Sequence, residues 1–136
     1  MTAASSIRPS AARQVRPFPG GTATDPYGLA RLLMDGVLER IEAAREHLVN
    51  GEQPGKRFLL QAAVVILSEL RADLDLPRGG AVAANLDDLY DYMCRRLKVA
   101  DLQNGIAALD EVSHLLDALQ SAWAYLPAEV RAASRN

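Results

Sequence analysis

The stretch NLDDLYDYMCRRL, Asn85–Leu97, holds two tyrosines, a methionine, a cysteine and paired arginines among three aspartates, with no glycine or proline. Set on a helical wheel of about 100° per residue, it separates by chemistry. With its continuation on either side, Val82, Leu86, Leu89, Met93, Leu97 and Ala100 form a central apolar stripe. Tyr90 and Cys94 lie on one flank of it; Asn85, Tyr92, Arg96 and Val99 lie on the other. Asp87, Asp88, Asp91, Arg95 and Lys98 fall on the opposite side, where water is expected. Asp91 and Arg95 make an i, i+4 pair in the favourable order, worth about 0.2–0.5 kcal/mol. Charged and apolar groups therefore point in different directions. That is the signature of a bundle helix touching two neighbours, not of a carboxylate–tyrosine active site.

Three more helical patterns surround this one. The first opens at Thr24-Asp25-Pro26, where Asp25 can cap free N–H groups and Pro26 fits the first turn. Leu29, Leu33, Val37, Ile41, Ala44 and Leu48 then recur at helical spacing, and Asn50-Gly51 stops it, with Pro54-Gly55 completing the turn. The second is expected over Lys56–Leu76, ended by Pro77 and Gly79-Gly80. The third runs over Ala81–Leu102. Asn104-Gly105 separates it from a fourth carrying Leu109, Val112, Leu116, Leu119, Trp123 and Leu126, with Pro127 at its end. No strand pattern competes. Short connections between helices of roughly 20 residues favour antiparallel neighbours. The expected fold is all-α: an antiparallel up-down four-helix bundle over residues 25–127, with a flexible tail over 1–24 and a frayed C-terminus over 128–136.

Composition bounds the function. Hydrophobic residues make up 49% of the 136 and aromatics only 5%, so the core must be mostly Leu, Ala, Val and Ile. A net charge of −2 carries no basic excess of the kind that binds nucleic acid or anionic lipid. The tail, with Arg8, Arg13 and Arg16 among Ser, Ala, Pro and Gly, reads as solvated chain rather than as a binding arm. One cysteine, Cys94, rules out an internal disulfide. The longest apolar run, Leu59–Leu67, is too short to span a bilayer, and the N-terminus lacks the apolar segment of a secretory signal. A cytoplasmic protein without membrane insertion is expected.

Catalytic and ligand motifs are poor. His47 and His114 are far apart and sit at polar helix positions. One cysteine and two unclustered histidines cannot make a zinc site, and Cys94 lies beside an apolar stripe, where a small inert hydrophobe belongs. GEQPGKR, Gly51–Arg57, has a phosphate-loop flavour but is one residue short, lacks the following Ser or Thr and follows a helix. No enzyme, cofactor or metal is expected.

What the bundle leaves unexplained is surplus apolar surface. On the second helix, Leu60, Ala63, Leu67, Leu70 and Leu74 make one stripe; Phe58, Ala62, Val65 and Ala72 make another on nearly the opposite side. A four-helix bundle cannot bury one member all round. The fourth helix carries a smaller second strip of Ala108, Leu115, Ala118 and Ala122, whose small side chains would leave a shallow groove. A partner helix, a second copy of the chain, or the N-terminal tail would each cover such faces.

The segment from Leu67 to Trp123 resembles the flagellar secretion chaperones of the FliS family. The resemblance is carried by S-E-L-x-x-x-L-D ending in Gly-Gly, by L-Y-D-Y-M-x-R-R-L, by the following A-D-x-x-N step and by a late Ala-Trp. Upstream, Asp25-Pro26 and Leu33-Met34-Asp35-Gly36 are similar to the family's opening elements, with Met34 in place of the usual Tyr or Phe. The tail, longer and Arg-rich with Phe18 its only aromatic, also departs from the family pattern. The resemblance implies a non-catalytic cytoplasmic bundle that binds the C-terminal region of flagellin in hydrophobic grooves, prevents premature polymerisation and delivers it to the flagellar export apparatus. It gives Phe58, Ala62, Val65, Ala72, Leu115 and Ala122 a purpose as groove, with Tyr90 and Tyr92 wedging the third helix and bordering that surface. Alternatives of another class are a regulator binding an anti-sigma factor, a co-chaperone or another export component, and a homodimer that pairs its apolar faces.

Overall fold

The computed structural model describes residues 26–123 and 125–126. Four helices follow one another: α1 (Pro26–Val49), α2 (Gln53–Ala72), α3 (Leu76–Gln103) and α4 (Ile106–Trp123). α1 packs on α2, α2 on α3, α3 on α4, and α4 returns to α1. Polar contacts fix the directions. Lys56 near the start of α2 meets Asp101 near the end of α3, whereas Arg71 at the end of α2 meets Asp87. Arg45 late in α1 pairs with Asp110 early in α4, and Gln120 late in α4 reaches Asp35 early in α1. Neighbours are antiparallel throughout, as the short turns require. The proposed tail and the frayed C-terminus lie outside the described residues, as does the Asp25 cap.

The predicted stripes face the bundle axis, and on α1 Met34, outside the predicted stripe, is enclosed while Leu33 is half-buried. Met34, Val37 and Ile41 of α1, Leu60 and Leu67 of α2, Met93 and Leu97 of α3, and Leu109, Val112 and Leu116 of α4 are fully enclosed. Met34 suits its site because an unbranched thioether fills irregular space.

Three local assignments are corrected. Pro54 does not complete the first turn; it stands in the opening turn of α2, where a missing N–H costs nothing. The turn itself is made by Asn50–Glu52, with Gly51 at φ +75°. α2 stops at Ala72, four residues earlier than expected, and half-buried Leu74 packs against the core from the linker. Pro77 opens α3 rather than closing α2: the Asp75 carboxylate accepts from the Arg78 N–H at 3.2 Å and caps the new helix. Gly79-Gly80 interrupts that first turn, with Gly80 at φ +58°, ψ −139°, and α3 runs on from Ala81. Asn104, left-handed at φ 55°, ends α3, as the Asn-Gly pair predicts.

Lys56 is the feature that the sequence concealed. It is completely enclosed, and its ammonium donates to the Asp101 carbonyl at 2.5 Å and to Asn104 Oδ1 at 2.8 Å. Asp101 Oδ1 lies 3.1 Å away as counter-charge. A cation thus sits on the C-terminal carbonyls of α3, where the helix dipole favours it, and ties the start of α2 to that end.

Candidate functional site

α2 has two apolar faces, and only one is used. Opposite the buried Leu60–Leu67 stripe, Phe58 is 71% exposed and Val65 58% exposed. Ala62 is half-buried and Ala72 exposed. Phe58, Val65 and Ala72 are spaced by seven residues, two turns each, so they share one face over about 21 Å. Leu76, at the start of α3, is exposed as well. No helix of the bundle packs there.

α4 contributes differently. Leu115 is half-buried and packed against the core, while Ala118 and Ala122 are exposed. Ala108 of the expected second strip is buried in the core, so the strip is shorter than predicted. Glu111 lies on this side of α4 and receives two donors from α3: the Tyr92 hydroxyl at 2.5 Å and Arg96 Nε at 2.7 Å. These two bonds hold the Glu111 carboxyl below its ordinary range, and the carboxylate in turn pushes the Tyr92 phenol up. The guanidinium of Arg95 lies 5.7 Å from the Tyr92 ring centre. Tyr92 and Leu115 therefore belong to the α3–α4 seam, with half-buried Leu89 beside them.

Tyr90 is elsewhere. It is fully enclosed in the core, and its hydroxyl has no hydrogen-bond partner among the described residues. Burial pushes its phenol well up. It cannot border an open groove here; it is core. The wheel had put it on a flank, but α2 covers that flank, which also encloses Cys94 against Ser68 and the Val64 carbonyl. Burial raises the Cys94 thiol. The eight candidate residues thus divide into four on the outer face of α2, three on the α3–α4 seam (Tyr92, Leu115, Ala122) and one inside. α2 and α4 are diagonal in the bundle, so the surfaces are separate.

The α2–α3 seam is polar. Arg71 holds Asp87 through Nε at 2.6 Å and its second terminal nitrogen at 3.3 Å, and Asp91 through the other at 3.0 Å. Asp91 also accepts from Arg95 at 3.0 Å, the pair expected from spacing. Asp87 and Asp91 are half-buried under Arg71 rather than fully wet. Arg71 holds the Asp87 carboxyl below its usual range; Arg95 and then Arg71 do so for Asp91. His47 bonds Glu52 at 2.8 Å, and His114 is exposed. Among the described residues no three His, Cys, Asp or Glu side chains group as metal ligands, and no helix is long and apolar enough to cross a membrane.

Residues 20–130 match the family model described as flagellar protein FliS, a span enclosing all four helices. The chain belongs to the FliS family. It is 44% identical over 99 residues to the flagellar secretion chaperone FliSB of Pseudomonas aeruginosa, covering 73% of this chain and 79% of that protein. It is 40% identical over 99 residues to the flagellar secretion chaperone FliS of Salmonella typhimurium, covering 72% and 73%. The corresponding protein of Bacillus subtilis is 33% identical over 102 residues, 75% and 74%. The FliS membership therefore rests on the whole bundle rather than on the tyrosine motif alone.

Proposed function

We propose that this chain is a non-catalytic flagellar secretion chaperone of the cytoplasm. It holds the C-terminal region of flagellin in a helical, export-competent form and passes it to the flagellar export apparatus. The observation that carries the reading is the unpartnered apolar face of α2 in a chain of this family. Phe58 and Val65 stand in water, with Ala62 between them and Ala72 beyond on the same face. An amphipathic helix laid on that face buries both. The α3–α4 seam, with Tyr92, Leu115 and Ala122, is the second surface for the same client.

The test is calorimetric titration of the full chain with a peptide of flagellin's C-terminal region, with circular dichroism alongside. A one-to-one complex, a negative heat-capacity change and a gain in helix support coupled folding on an apolar surface. A folded protein that gives no heat, with or without residues 1–24, overturns the reading. Sedimentation of the free chain at micromolar concentration separates it from self-association through the α2 face, since a monomer leaves that face open.

A further inference from the structure

Among the arginines that bridge helices in this bundle, Arg71 and Arg96 are loaded differently. At the α2–α3 seam Arg71 uses all three guanidinium nitrogens and carries two carboxylates, Asp87 and Asp91. At the α3–α4 seam Arg96 uses only Nε, on Glu111. Its two terminal nitrogens make no hydrogen bond to any described residue, and its side chain is one-third exposed. Glu111, gripped from the other side by Tyr92, fixes where that guanidinium stands. The result is a pinned fork of N–H donors near Tyr92, on the seam that also carries Leu115 and Ala122.

We propose that Arg96 is a specificity residue for the client on the α3–α4 seam. Its open edge receives an Asp or Glu side chain of the client helix, and this sets the helix's register along the seam. The partner it fits is an amphipathic helix with a carboxylate beside its apolar stripe. A planar guanidinium matches a carboxylate with two parallel bonds, and Arg71 shows in the same molecule that one guanidinium can carry two carboxylates. Glu111 occupies the Nε edge and Asp91 already holds Arg95, so what draws a client carboxylate is the directed pair of terminal N–H donors rather than a net positive field. Tyr92 and Glu111 act as positioning residues through Arg96.

This rests on the chaperone reading, and the experiment separates the two. The full chain and Arg96→Gln are titrated with the flagellin C-terminal peptide and with peptides in which each Asp or Glu is changed singly to Asn or Gln. In the unaltered protein, one of these changes should weaken binding about 10-fold or more. In Arg96→Gln all peptides bind equally, at that weakened level. Arg96→Lys restores the charge without the fork and should recover only part. Arg96→Gln binding every peptide as tightly as the unaltered protein overturns the inference while the chaperone reading stands. The same holds if no single carboxylate matters, or if the same one matters equally in both proteins. No binding of the native peptide to the unaltered protein overturns both. Thermal melts of each variant accompany the titrations; a variant that binds weakly because it is unfolded is replaced by Glu111→Gln, which frees Arg96 and should lose register selectivity in the same way.

Discussion

Val65→Asp and Leu67→Asp place the same charge two residues apart on α2, and the structure gives them opposite fates. Val65 is 58% exposed, so the folded chain gives up little in replacing it, within about 0.5 kcal/mol as for surface changes generally. Full burial of a valine is worth about 1.5–3 kcal/mol, of which about three-fifths is still unspent here. A client helix that covers Val65 thus gains about 1–2 kcal/mol from it, and losing that weakens binding roughly 5- to 30-fold. An aspartate forced under the client adds a desolvation cost and moves the loss to the upper end or beyond. Leu67 is fully enclosed. A carboxylate there costs an amount comparable with the whole stability of a domain, about 5–15 kcal/mol. The assay is urea unfolding followed by helicity, then calorimetric titration with the flagellin peptide. Val65→Asp should keep the midpoint and lose the client; Leu67→Asp should lose the fold. Unchanged affinity in a folded Val65→Asp protein refutes the assignment of the α2 face to the client.

On α4, Ala122→Asp should weaken the client while leaving the fold intact, whereas Leu115→Asp should also lower the melting temperature, because Leu115 packs on the core; equal melting temperatures would refute that placement. Lys56→Met should cost about 3 kcal/mol in urea unfolding, the low end for breaking a buried pair, because Asp101 is partly exposed and keeps Arg57 at 3.5 Å. Tyr90→Phe removes a hydroxyl that has no partner and should leave stability unchanged or raise it by up to about 1 kcal/mol; a clear loss would mean the hydroxyl is bonded in solution. Asp87, Asp91 and Glu111 have folded pKa values lowered from 3.8, 3.8 and 4.5, so their pairings stabilise fully above those values and are lost as pH falls through the depressed ones. Melting temperature should therefore drop on acidification below about pH 5, and Arg71→Gln should flatten that slope.

The sequence disclosed the parts of this molecule that depend on periodicity. The helices, their inward stripes and the outward Phe58–Ala72 stripe all follow from a 3.6-residue repeat, and the enclosed and open residues of α2 fall where that repeat puts them. What stayed hidden depends on which neighbour stands on each flank. A wheel marks Tyr90 and Tyr92 as flanking residues but not that α2 covers one and α4 only half-covers the other. Lys56 stands at the start of the expected second helix, and nothing near it in sequence marks it as buried, because its partners, Asp101 and Asn104, lie 45 and 48 residues on. Pro77 and Gly79-Gly80 signal a break in either direction; Asp75, bonding forward to Arg78, decides that the break belongs to α3. The Arg96–Glu111–Tyr92 clasp leaves a faint trace, an arginine among apolar positions, but its acceptor is on another helix.

The arrangement of the two surfaces constrains whatever lies on them. α2 and α4 are diagonal, so their outer faces point away from each other and one straight helix cannot touch both. Neighbouring helix axes in bundles stand about 8–10 Å apart. A chain passing from the α2 face to the α3–α4 seam must therefore travel at least about 20 Å across the surface of α3. In extended conformation that takes about six or seven residues. The crossing passes over Asp88, Arg95 and Lys98, exposed charged groups that offer hydrogen bonds to open backbone and little to an apolar side chain. A single client that uses both surfaces is then two amphipathic helices joined by a polar, non-helical link. Each half binds weakly alone, and the link's length sets how strongly the two reinforce one another. Under the proposed chaperone reading, the apolar stripe of α2 and the pinned arginine of α3 would be separate anchors for one wrapped segment.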